Sequence, residues 1–103
     1  MEVKLLTDQT TSPVTGVPHK IGNHPPHRAY QATVAGPGAV TATVVIYVST
    51  DGTNFIELAT ITLSGTTSAT DGFASATGWS WVRANITAIS GTGATINATM
   101  AAA

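Results

Sequence analysis

Alternation with a period of two runs through most of the chain after residue 27. In residues 27–34, Tyr30, Ala32 and Val34 fall on one side, and Gln31 and Thr33 on the other. Residues 40–49 repeat the pattern, with Val40, Ala42, Val44, Ile46 and Val48 opposite Thr41, Thr43, Val45, Tyr47 and Ser49. Side chains alternate between the faces of a strand, so both runs predict strands with one buried face. The middle of 40–49 is apolar on both sides, which predicts a central strand covered twice. Gly36-Pro37-Gly38 and Thr50-Asp51-Gly52 are turn signals, and strands are expected over 54–59 and 60–63. Residues 64–72, rich in Ser, Thr, Gly and Asp, are expected to form a loop, and 73–77 a short strand. In 79–89, Val82, Ala84, Ile86 and Ala88 share one face, and Trp81, Arg83, Asn85 and Thr87 the other. Ser90-Gly91-Thr92-Gly93 turns the chain, and 94–100 returns with Ala94, Ile96, Ala98 and Met100 inward. Thr, Val and Gly dominate without a 3.6-residue period, so no helix is predicted. Short strands separated by turns every 8–12 residues or so predict an all-β fold, a β-sandwich of jelly-roll layout.

The start of the chain differs in kind. Residues 3–6 are expected to form a short edge strand. Residues 7–27 hold Pro13, Pro18, Pro25 and Pro26, together with Gly16, Gly22 and Asn23. Proline removes a ladder donor and fixes φ, which argues against a central strand and for an extended arm or long loop. The division predicted is an extended, proline-rich N-terminal arm over 1–27 and a sandwich domain over 28–103. The arm is expected to be mobile in the isolated protein and to order against a neighbour.

Charge constrains this chain more than length does. The 103 residues allow one domain with a modest core. Charged residues are 9% of the chain, far below the roughly 25% of ordinary globular proteins. A net charge of −1 gives no field to steer nucleic acid or an anionic membrane, and neither is an expected partner. Near-neutral proteins with high apolar content associate, so association is the expected working state. There is no cysteine, so packing or partners must replace the disulfides of small secreted domains. No apolar run reaches signal-peptide length or the roughly 18 residues of a membrane span, which places synthesis and assembly in a cytoplasm. Asn85-Ile86-Thr87 and Asn97-Ala98-Thr99 match the glycosylation pattern and are read as chance in a Thr-rich chain.

Chemistry-bearing residues are sparse. His19, His24 and His27 share one window, and three histidines suffice for a zinc ion with water as fourth ligand. Their spacing matches no compact metal motif, so they read as a solvated or interface loop. Trp79 and Trp81 are two apart and would share a face on a regular strand with Arg83. Three readings are open: indoles covering the open end of the core beside Phe55 and Phe73, an aromatic anchor for a protein partner, or a carbohydrate platform. No Gly-x-Ser-x-Gly elbow is present, and the carboxylates Asp51, Glu57 and Asp71 are dispersed. Neither an enzyme nor a cofactor is expected. The candidate partner-contacting residues are Trp79, Trp81, Arg83, His19, His24 and His27.

One resemblance adds to this reading. The runs Val48-Ser49-Thr50-Asp51-Gly52-Thr53-Asn54-Phe55, Ile61-Thr62-Leu63-Ser64-Gly65, Asp71-Gly72-Phe73-Ala74, Trp79-Ser80-Trp81-Val82-Arg83-Ala84 and Ile89-Ser90-Gly91-Thr92-Gly93-Ala94 are similar to small β-rich virion proteins of tailed bacteriophages. These include head decoration, or cement, proteins. The similarity lies within residues 44–100, and residues 7–30 have no counterpart in it. It implies a non-enzymatic virion protein on the capsid exterior, assembled in a bacterial cytoplasm. Such a protein would bridge neighbouring major capsid subunits and associate with its own copies as a dimer or trimer. The resemblance carries over no catalytic residues and leaves head and tail both open. The alternative it allows is a tail or fibre module that binds a host glycan on the tryptophan pair.

Overall fold

The computed structural model describes residues 2–11, 13–21, 27–75 and 79–102. Among them are nine strands and no helix: β1 (Glu2–Gln9), β2 (Val14–Thr15), β3 (His19–Lys20), β4 (Arg28–Ala35), β5 (Val40–Ser49), β6 (Ile56–Gly65), β7 (Ser68–Ser75), β8 (Trp81–Ser90) and β9 (Thr95–Ala102). They form two antiparallel sheets, one in the order β1-β9-β4-β7 and the other β2-β8-β5-β6, with β3 also on β8. The pairing is nested. β1 meets β9, β2 and β3 meet β8, β4 meets β7, and β5 meets β6. Two further ladders, β4 with β9 and β5 with β8, join these pairs into sheets.

The two sheets close on a single core. Val40, Ala42, Val44, Ile46 and Val48 of β5 and Val82, Ala84 and Ile86 of β8 point into it from one sheet. Tyr30, Ala32 and Val34 of β4 and Ile96, Ala98 and Met100 of β9 point into it from the other. The period-two reading therefore holds at the level of side chains for β4, β5 and β9, and for β8 as far as Ile86. The Tyr30 and Phe73 rings stack at 4.9 Å between centroids, a pair worth about 1 kcal/mol beyond its burial. Arg28 shares the inward side of β4 and is only 2% exposed, and its guanidinium donates to the Trp79 carbonyl. That bond fastens the approach to β8 onto the end of β4. Burial pushes the Tyr30 phenol up from its ordinary value, and the neighbouring Arg28 charge opposes the shift.

Three expectations are corrected. Residues 64–72 are not a loop: β6 runs through Gly65, and β7 begins at Ser68 and pairs in register with all of β4. As an edge strand β7 buries little, with only Ala69 and Phe73 packed on the core, so its composition reads as a turn. The expected strands 54–59 and 60–63 are one strand, β6, and a register shift at Ile46/Tyr47 makes Leu58 an extra residue in it. In β8 the register shifts between Thr43 and Val44, leaving Thr87 without an opposite number. An extra residue inverts the facing of everything after it. Ile89 consequently packs on the core while Ala88, expected inward, is exposed.

The described part of residues 1–27 lies against the sheets. A bulge in β1 takes the register from Lys4↔Thr99 to Leu6↔Ala98. The consecutive Leu5 and Leu6 are thereby both buried. Asp8 adopts a positive φ of 48° in a second register shift, between Leu6 and Gln9, and its N–H donates to Asn97 Oδ1 at 3.0 Å. β2 and β3 are two residues each and lie on the outer edge of β8. Between them Gly16 donates to the Ala84 carbonyl at 2.9 Å, an approach so close that a Cβ would stand 2.1 Å from that oxygen. Pro13 and Pro18 flank these short pairings, where a missing N–H costs no ladder bond. Ile21 completes the segment's contribution to the core.

Candidate functional site

The turn between β5 and β6 is built around two side chains. Ser49 is 1% exposed, and its Oγ accepts from the N–H groups of Asp51 and Gly52 while donating to Asp51 Oδ1 at 2.7 Å. Asp51 Oδ1 also accepts from the N–H groups of Thr53 and Asn54, and Oδ2 from the Asn54 amide. This is the side-chain mimicry of a turn for which Asp is favoured. The Asn54 and Thr53 backbone donors, then the Ser49 and Asn54 side chains, hold the Asp51 carboxyl far below the usual carboxylate range. A depressed folded value means that the stability it contributes is complete above the unfolded value, near 3.9. That contribution is lost as pH falls through the folded value. Asp51→Asn should lower the urea midpoint at pH 7, with the gap from wild type narrowing steadily below about pH 4. A gap that stays constant down to about pH 2.5 would refute this account of the turn.

Gly52 has a φ of +77°, and a Cβ there would lie 2.6 Å from the Trp81 ring. The indole therefore lies directly on the turn, where only glycine leaves it room. From Trp81 an outward-facing cluster extends across the sheet. In one row Lys20 is opposite Trp81 and Trp81 opposite Ser49; in the next, Arg83 is opposite Tyr47 and Tyr47 opposite Glu57. The Arg83 guanidinium lies 4.3 Å from the Phe55 ring centroid and 5.4 Å from that of Tyr47, within cation–π range. Its Nε is buried and has no hydrogen-bond partner. Trp81, Arg83, Tyr47 and Phe55 are all half-buried, so each is fixed by its neighbours while still presenting surface.

The candidate residues separate. Trp81 and Arg83 come together in this cluster. Trp79 precedes the bend at Ser80 and packs against the core, so the two indoles do not share a face. His19 is half-buried on β3, opposite Val82, and His27 is exposed. His24 lies outside the described residues. Among the described residues no three His, Cys, Asp or Glu side chains converge on a possible metal position. His19 lines a groove of about 420 Å³ between β1 and the β2–β3 edge, with Lys4, Leu6, Val14, Gly16 and Val17.

Tyr47 and Phe55 were missed as members of the site. Tyr47 has the outward parity on β5 that admits it. Its register with Arg83 depends on how β5 pairs with β8, which no local pattern encodes. Phe55 reaches Arg83 only because the Asp51 turn folds it back.

No helix among the described residues is long and apolar enough to cross a membrane. No protein-family model matches the chain, and comparison with curated proteins and with solved structures likewise gave no match.

Proposed function

We propose that the chain is a non-enzymatic structural protein of a bacteriophage virion, a decoration or cement protein on the outside of the head. In this reading it bridges neighbouring major capsid subunits and associates with its own copies. The observation that carries it is the Trp81–Arg83–Tyr47–Phe55 cluster. Trp, Tyr and Arg dominate the energetic centres of protein interfaces, and here they stand on a rigid sheet face beside a hydrogen-bonded turn. The half-exposed Arg83 guanidinium, held against Phe55 and Tyr47, suits a protein surface bearing a carbonyl or carboxylate. The nested ladders further support a jelly roll, an antiparallel ribbon rolled into two sheets, an architecture used in viral capsids and lectins. The similarity of residues 44–100 to small virion proteins points the same way.

A cement acts by adding binding energy at each joint of the shell, so many copies make a small energy per copy count. The test is the number of copies in purified particles, read by gel densitometry. Hundreds per virion agree with decoration of the head. A few to a few dozen favour the tail or fibre module binding a host glycan, and absence from particles overturns both. With 9% charged residues, attachment should rest on apolar burial and hydrogen bonding, which salt screens weakly. Affinity for the shell is expected to change by less than about tenfold between low salt and roughly 0.5 M. Release by moderate salt alone would contradict this.

A further inference from the structure

The outward side of the other sheet is of a different chemistry. Its outward positions on β4, β7 and β9, four on each strand, are occupied by Ala, Ser, Thr, Gly, Asn and Gln alone. All are exposed or half-exposed, and none is ionisable. Both ladders that join these strands run from end to end without a register shift. The face therefore has no bulge and no side chain longer than glutamine. At its centre Thr33 and Thr70 share a hydroxyl–hydroxyl bond of 2.9 Å, and Gln31 lies between Thr99 and Gly72. Outward charge on this sheet is confined to the rim strand β1, where Glu2 and Lys4 carry opposite signs and Asp8 lies beside the outward Asn97 side chain.

We propose that this face is the contact between two copies of the chain, packed sheet against sheet about a two-fold axis. The proposal deepens the reading of the chain as an assembly component. Charge favours the chain itself as the occupant. A strongly charged partner would lose hydration here and find no counter-charge, whereas two copies of this face bring no like charges together across its central strands. Thr, Asn and Gln each donate and accept hydrogen bonds, so the surface is complementary to itself, as a two-fold contact requires. Size agrees once the rim strand β1 is counted: at ~4.8 Å between strands and eight residues of ~3.3 Å each, β4, β7 and β9 cover roughly 380 Å², and the whole four-stranded face roughly 500 Å². Two copies would bury roughly 1,000 Å², about where specific interfaces begin. Face-to-face packing is one of the standard ways in which two sheets associate.

The experiment is sedimentation equilibrium on the purified protein, without particles, beside the variants Gln31→Glu and Thr33→Lys. Both positions point outward, and melting curves at low concentration should stay close to wild type. The wild type should be dimeric at about 100 µM, and each variant should raise the dissociation constant at least tenfold. A wild-type protein that stays monomeric up to about 1 mM overturns the proposal. So does a dimer that both variants leave intact. Particle binding is a separate measurement: a dimer that never attaches to particles would count against the decoration reading and leave this contact standing.

Discussion

Removing residues 1–9 should yield an unfolded chain rather than a trimmed, folded domain. Two fully inward leucines leave with β1, and replacing one buried leucine by alanine costs about 2–5 kcal/mol. The deletion also strips β9 of its outer neighbour along the whole of β1. Ile96, Ala98 and Met100, all buried, would then stand on an open edge. Against a total stability of about 5–15 kcal/mol for a domain, the sum exceeds what the rest can absorb. Far-UV circular dichroism and a thermal melt of the truncated chain provide the check, with Leu6→Ala as the milder probe. A cooperative melt within a few degrees of wild type would restore the view of residues 1–27 as an arm outside the fold.

Why the arm was expected, and what it proved to contribute, comes down to particular residues. Leu5 and Leu6 break the alternation that betrays a strand, and only the bulge in β1 lets both face inward. β2 and β3 are two residues long, too short for any periodicity to be read. Pro13 and Pro18 exclude a central strand, and an edge attached at two short points meets that restriction. The strands that are legible, β4, β5 and β9, bury one face and write it in Val, Ile, Ala, Met and Tyr, with Arg28 at the end of β4. β7 was illegible because an edge strand owes little to the core: Asp71 has inward parity and is exposed. A charge there also discourages further strands from adding to that edge.

The candidate site was half legible for a similar reason. Trp81 and Arg83 are neighbours on one strand face, which period two reveals. Tyr47 and Phe55 join them across a ladder and around a turn, and those relations exist only once β5, β6 and β8 have paired. The tryptophan pair was divided by the bend at Ser80, since parity counts only within a continuous strand. Alternation likewise registers the charge-free face of the β4 sheet merely as polar. It becomes a surface only when β7 is recognised as a strand and β7, β4 and β9 are set side by side.

Trp81→Ala is the substitution expected to separate folding from attachment. Its indole lies on Gly52 and covers the Ser49–Asp51 turn without entering the core, so truncation should cost about 1–2 kcal/mol of stability. A core aromatic would cost about 3–5 kcal/mol. If the cluster anchors a partner, the same change should weaken binding to the shell by about 2 kcal/mol or more, roughly 30-fold. Arg83→Lys should weaken binding as well, because an ammonium keeps the charge but neither the planar stack on Phe55 nor the Nε donor. The two variants act on different parts of one cluster, so their combined effect should fall short of the sum. A melting curve beside a binding assay decides the matter. Loss of stability on the scale of a core aromatic would make Trp81 a structural cap. Binding that survives both changes would remove the cluster from the interface and leave the charge-free face as the surface to examine.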